Sequence, residues 1–125
     1  MVKLEGIVLH SSDIDVTSRF YEALLRVKFR EEKHGEKGKR HYAVSLDNNF
    51  LLEIYPPPTK SASSTTIQAP PVLRSDPSFI FNVRDLEATL EAVNEYTHGK
   101  VEKLDFGAKI YDPDQRSIYL HEVRD

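Results

Sequence analysis

The side chains that could do chemistry here are few: Glu53, set inside the apolar run Phe50-Leu-Leu-Glu53-Ile-Tyr55, and five histidines. His10 and His121 each sit at the end of an apolar, strand-like run. An imidazole titrates near neutral pH and can serve as base, acid or metal ligand. A carboxylate beside it could share a metal or hold a cationic ligand. The plainer reading makes the two histidines surface or satisfied residues and pairs Glu53 with an arginine such as Arg116 or Arg40. His34 and His98 fall in polar turns and are expected to be solvated, while the facing of His41 is not determined by its strand. There is no cysteine, which excludes disulfides, zinc ribbons and thiol chemistry.

The elements that must position these residues come as a repeat. Gly6-Ile-Val-Leu-His-Ser-Ser-Asp13-Ile14 aligns with Ser78-Phe-Ile-Phe-Asn-Val-Arg-Asp85-Leu86 at an offset of 72 residues. In each copy an apolar strand runs into an Asp suited to cap a helix. The spacing predicts a helix after Asp13 with Val16, Phe20 and Leu24 on one face, and a helix after Asp85 with Leu86, Leu90 and Val93 on one face. Strands are predicted over 4–9, 27–32, 40–46 and 50–55, and again over 78–83, 100–105, 108–111 and 116–123. Gly35 and Gly38 mark one hairpin tip, and Asp112-Pro-Asp-Gln115 marks the turn joining the last two strands. The order is therefore βαβββ twice, with residues 1–55 as the first module and 78–125 as the second. Between them, 56–77 is rich in Pro, Ser and Thr and reads as a linker loop.

Halves of this size are marginal alone and should share a core or pack on a second chain. Six Phe and six Tyr in a chain that is 39% hydrophobic supply that core. A net charge of −3 with both signs interspersed argues against a nucleic-acid partner, which would need a basic face. No apolar run is long enough for a membrane span or a signal peptide, so a cytoplasmic protein without a membrane partner is expected.

Several of these segments resemble the vicinal oxygen chelate superfamily, which includes glyoxalase I, bleomycin- and fosfomycin-resistance proteins and extradiol dioxygenases. The likeness rests on Asp13-Ile14…Phe20-Tyr21-Glu22-Ala23-Leu24-Leu25, on Phe50-Leu-Leu-Glu53-Ile, on Asp85-Leu86 and on Phe106-Gly107…Asp112-Pro113-Asp114. It implies an α+β fold of two βαβββ modules whose curled mixed sheets form a cleft, and a homodimer. It also implies a divalent metal held from four strands. Carried over position by position, those ligands fall on Gly6, Glu53, Ser78 and Tyr119. Glycine offers no donor, and Ser and Tyr hydroxyls are poor ligands, so no metal and no cofactor is expected at that place. Arg26 stands where the family usually has glycine after the helix, and a remodelled loop is expected there.

Side chains two apart on a strand share a face. If the carried-over positions face the cleft, His10, Tyr55, Asn82 and His121 join Glu53, Ser78 and Tyr119. That mixture suits a small organic ligand. The leading expectation is a small-molecule-binding homodimer without the family metal. Two alternatives stand beside it. One is a metal-dependent lyase or dioxygenase with a shifted site using Glu53 with His10 or His121. The other is a structural homodimer with a collapsed cavity. Whether any reaction is catalysed is left open.

Overall fold

The computed structural model describes residues 2–34, 38–58, 78–97 and 101–123. Its first module contains β1 (Gly6–His10), α1 (Ile14–Leu25), β2 (Arg30–Glu32), β3 (His41–Ser45) and β4 (Leu51–Tyr55). The second contains β5 (Phe79–Val83), α2 (Leu86–Val93), β6 (Glu102–Leu104), β7 (Gly107–Tyr111) and β8 (Ser117–Glu122). Each module forms its own four-stranded mixed sheet, in the order β1-β4-β3-β2 and β5-β8-β7-β6. In both, the outer strand runs parallel to its neighbour and the other pairings are antiparallel. No helix among the described residues is long and apolar enough to cross a membrane.

The repeat read from the sequence is the repeat that folds. Asp13 Oδ1 accepts from the Val16 N–H at 3.2 Å and Asp85 Oδ1 from the Ala88 N–H at 3.0 Å, so both helices start on an aspartate cap. The face buried by α1 is Ile14, Thr17, Ser18, Phe20, Tyr21 and Leu24, with Val16 only half-buried at its margin. On α2, Leu86 and Val93 are buried and Leu90 is half-buried. The linker lies outside the described residues beyond Pro58, as does the Gly35 side of the first hairpin tip and the His98-Gly99 end of the second helix.

Two local expectations need correction. Residues 27–29 are not part of the second strand, whose ladder starts at Arg30. Their backbone is satisfied by the helix instead: the Val27 N–H reaches the Glu22 carbonyl at 3.3 Å, and the Phe29 N–H reaches the Glu22 carboxylate at 2.8 Å. Nor is the loop at Arg26 remodelled around its side chain. Arg26 takes the left-handed conformation, φ 55° and ψ 49°, and closes the helix as a glycine would.

One hydrophobic core runs through both modules, from Leu9, Phe20, Leu52 and Ile54 to Ile110, Ile118 and Leu120. Helix α1 packs on β3 and β4 and also against α2. Tyr21 is the hinge-pin of that contact. Its ring meets Phe20 edge-on at 4.9 Å and Phe79 of the second module at 6.3 Å. Its hydroxyl donates at 2.6 Å to Asp112, which is buried. Burial, reinforced by the Asp112 charge, pushes the Tyr21 phenol well above its ordinary range, so it remains a donor.

Asp112 and Asp114 explain the turn that the sequence singles out. Asp112 Oδ1 accepts from the Asp114 and Arg116 N–H groups at 2.8 and 2.9 Å. Its Oδ2 takes the Tyr21 hydroxyl and, at 2.8 Å, the Arg116 guanidinium. Asp114 reaches across to the first module, accepting from the Ser12 N–H and hydroxyl, each at 3.1 Å, and from the Thr17 hydroxyl at 2.8 Å. Arg116 also donates to the His10 carbonyl. The Asp-Pro-Asp turn is thus a polar bolt that fixes the second module onto the β1–α1 junction of the first.

Candidate functional site

Each sheet has a side turned to the helices and a side turned away from them, and strand alternation decides which residues stand where. On β1, Leu9 is buried toward the core while Val8 and His10 are exposed on the open side. On β4, Leu52 and Ile54 are buried, which leaves Leu51, Glu53 and Tyr55 on the open side. Ile118 and Leu120 on β8 are buried likewise, leaving Ser117, Tyr119 and His121 opposite. Ile80 and Asn82 on β5 are exposed on the same open side. The expected parity of every one of these strands is the parity found.

The two open sides belong to separate sheets. On the first, Val8 stands beside Glu53 and His10 beside Tyr55. On the second, Ile80 stands beside Tyr119 and Asn82 beside His121, and the Ser78 and Ser117 hydroxyls share a hydrogen bond of 2.5 Å. Glu53, His10 and Tyr55 therefore form one group, and Ser78, Asn82, Tyr119 and His121 another. No hydrogen bond or ion pair among the described residues joins the side chains of one group to those of the other. His10 Nδ1 donates to the Pro56 carbonyl at 3.1 Å, and His121 packs edge-on to Phe106 at 5.7 Å.

On the first sheet a shallow cavity of about 370 Å³ lies over Gly6, Val8, Ser45, Leu51 and Glu53. Neither arginine considered as a partner of Glu53 takes that part. Arg116 pairs with Asp112 and Asp114, and Arg40 with Asp15 and Glu31. The partner of Glu53 is His41, with Nε2 3.4 Å from Oε2. The His41 ring is fully buried and stacked on Tyr55, with centroids 4.1 Å apart and planes 8° from parallel. Burial raises the Tyr55 phenol above its ordinary value, with the nearby Glu53 and Glu32 charges adding to the effect. Glu32 Oε1 lies 3.3 Å from the same His41 nitrogen, and His34 Nε2 lies 3.9 Å from that oxygen.

His41, Glu32 and His34 are the residues that sequence reasoning missed. The signal was present in the pairing. Ala43 stands opposite Glu53 in the antiparallel ladder, so His41, two residues away on the same strand, shares the open side. Glu32 stands opposite His41 and follows onto that side.

The four positions carried over as metal ligands do not make a metal site. A Cβ at Gly6 would overlap the Leu51 carbonyl oxygen and lie 2.9 Å from the Leu51 Cβ, so no larger residue fits without moving the strand. The Ser78 hydroxyl is engaged with Ser117, and the Lys109 ammonium lies 5.6 Å from the centre of the Tyr119 ring. A fixed cation at that distance opposes a second one. Only Glu53 offers a good ligand atom, so no step of chemistry can be derived through a metal there.

Residues 3–114 match the sequence model described as the Glyoxalase/Bleomycin resistance protein/Dioxygenase superfamily. The fold is similar to that of a glyoxalase family protein from Enterococcus faecalis, at 23% identity over 96% of this chain and 97% of that one, with a TM-score of 0.61. It is similar to the trypanothione-dependent glyoxalase I of Leishmania major, at 16% identity over 98% of this chain and 87% of that one, with a TM-score of 0.69. An antibiotic-binding protein from a Streptomyces species aligns at 19% identity over 99% of this chain and 98% of that one, with a TM-score of 0.61. No curated protein sequence matches the chain.

Proposed function

Since the chain belongs to the glyoxalase/bleomycin resistance protein/dioxygenase superfamily, we propose that it is a cytoplasmic homodimer that binds a small organic molecule on its open sheet sides without a metal at the family position. The observation that carries this reading is the first sheet's open side. It sets an anionic group, Glu53, with the apolar Val8 and Leu51 around a concave space, and places Tyr55 next along the same face of β4. The antibiotic-binding protein among the similar structures is a precedent for small-molecule binding on this fold.

The dimer is argued from the sheet edges. The outer strands β1 and β5 each have one neighbour, and each exposes an apolar residue on its open side, Val8 at 48% and Ile80 at 72%. Open edges with apolar side chains are covered in stable proteins. A second copy would cover them.

A ligand fitting this surface is planar in part and carries a donor or a positive charge toward Glu53. Calorimetric titration with a panel of planar organic cations tests it, on protein treated with chelator. We expect binding by at least one member, weakened by about 1.5–3 kcal/mol in Glu53→Gln, the range for a hydrogen bond to a charged group. The melting temperature of that variant should stay near the parent value. No binding at millimolar concentration would sink the reading. So would unaltered binding together with a melting temperature many degrees lower, because Glu53 would then serve only to hold His41.

A further inference from the structure

We propose that Glu32, His34 and His41 form a binding site for a divalent transition metal, best matched to zinc, on the β2–β3 side of the first sheet. One ligand atom from each of the three residues lies within 4.8 Å of the others. This site is distinct from the four strand positions at which the family likeness expects ligands. It stands whether or not the cleft binds an organic molecule.

The argument starts from the protons. His41 Nδ1 is 3.0 Å from the Lys39 carbonyl oxygen, which can only accept. Nδ1 therefore carries a hydrogen. In the neutral ring that leaves a bare lone pair on Nε2, and Nε2 faces two carboxylate oxygens, Glu32 Oε1 at 3.3 Å and Glu53 Oε2 at 3.4 Å. Three lone-pair donors converging around a buried ring repel one another unless something positive lies between or on them. A proton on Nε2 can satisfy that need, and so can a metal cation.

Three features favour the cation. First, the spacing fits: in a tetrahedral zinc site, ligands about 2.0–2.1 Å from the metal lie about 3.3–3.4 Å from each other. The His41–Glu32 separation is 3.3 Å, and the His34–Glu32 separation of 3.9 Å closes to that value with a small rotation of an exposed imidazole. Second, the outer contacts are those of a ligand histidine. The far ring nitrogen of His41 donates to a backbone carbonyl, which fixes the tautomer, and the ring is clamped against Tyr55. Third, Glu32 is held ready. Arg30 Nε binds its Oε2 at 2.6 Å, leaving Oε1 to the two histidines. Two imidazoles and one carboxylate suit zinc and leave a position open. Glu53 Oε2 lies 3.4 Å from the same His41 nitrogen, beside that open position.

Titration with zinc chloride alone, in a non-chelating buffer, tests the site without any organic ligand. We expect one zinc ion bound per chain and a melting temperature that rises with zinc. Cobalt(II) substituted at the site should show the strong visible absorption of a four-coordinate centre. His34 is exposed, so His34→Ala should fold normally. It should raise the Kd by at least the upper end of the about 10–100-fold that loss of an outer partner costs. It should also abolish the cobalt spectrum, whereas His121→Ala should leave both unchanged. Glu32→Gln should behave like His34→Ala. Zinc binding that survives His34→Ala, or a parent protein that binds no zinc, would overturn the proposal.

Discussion

On the helix-facing side, β4 presents Leu52 and Ile54 and β8 presents Ile118 and Leu120, all buried. On the open side the same two strands differ at every matched position. Glu53, beside exposed Val8, corresponds to Tyr119, beside exposed Ile80. Ala43 across the ladder from Glu53 corresponds to Lys109 across from Tyr119. The row running from Tyr55 through His41 to Glu32 corresponds to His121, Gly107 and Leu104. The second module cannot copy the buried histidine, because a Cβ at Gly107 would run into the Leu120 backbone. It carries instead a lysine 5.5 and 5.6 Å from the centres of the Tyr111 and Tyr119 rings. The backs of the modules were held alike by the demand for one shared core. Their open sides answer to no such demand and have taken different chemistry: Glu53, Glu32 and His41 on the first, and Lys109, with Glu102 across the ladder from it, on the second.

The strongest way to break this comparison is to remove the bolt that makes the two backs one core. Asp112→Ala strips a buried carboxylate from Arg116, Tyr21 and two backbone N–H groups. It should cost about 3–5 kcal/mol of stability, as loss of one partner of a buried ion pair does, measured by urea unfolding. A loss near zero would show that the modules are held by apolar contact alone. Tyr21→Phe keeps the ring and removes one donor, so its cost should be smaller, about 1.5–3 kcal/mol in the same assay.

Acid should weaken the bolt before it weakens the core. Burial alone would raise the Asp114 carboxyl, but its hydrogen bonds from Ser11, Ser12 and Thr17 outweigh this and hold it below its ordinary value. A carboxyl depressed in the folded state binds protons more readily when unfolded. Its contribution is therefore complete above the unfolded pKa of about 3.9 and is lost as pH falls through the lower, folded value. The stability profile of Asp114→Asn should be flatter than the parent's below about pH 4. An identical acid limb would mean that Asp114 does not carry the effect.

The helix caps sharpen the likeness of the two copies. Asp13→Ala and Asp85→Ala should each cost about 1 kcal/mol by thermal unfolding, since both side chains make one bond to the third N–H beyond. A cost confined to one of them would mean that the repeat is one of shape only. The smallest effect belongs to Arg26. A left-handed residue other than glycine is strained by about 1–2 kcal/mol, and glycine loses about 0.5–1 kcal/mol in unfolded-state entropy. Arg26→Gly should therefore stabilise by no more than about 1.5 kcal/mol in the same thermal assay.

The fold was legible because its signals are local and occur twice. An aspartate before an amphipathic run states where a helix begins, and strict alternation on β1, β4, β5 and β8 states which residues face away from it. What the sequence could not state was distance between elements. His41 was passed over because its facing depends on how many residues the β2–β3 connection holds outside the ladder. Asp112 and Asp114 read as turn formers, and nothing local says that their carboxylates reach Tyr21, Ser12 and Thr17 about a hundred positions earlier in the chain. The plainer reading, in which Glu53 pairs with Arg40 or Arg116, failed for the same reason, since both arginines are committed to aspartates.

The contact between Gly6 and Leu51 has a consequence in evolutionary terms. With β4 drawn up against a bare backbone, any imidazole or amide at that position would have to push the parallel pair apart. A chain with this gap closed cannot take a donor at the position by one substitution. It must first loosen a strand pairing on which the core depends, so any such route passes through weaker proteins. The contact acts as a ratchet, and selection for new chemistry in such a chain is channelled toward other rows of the sheet.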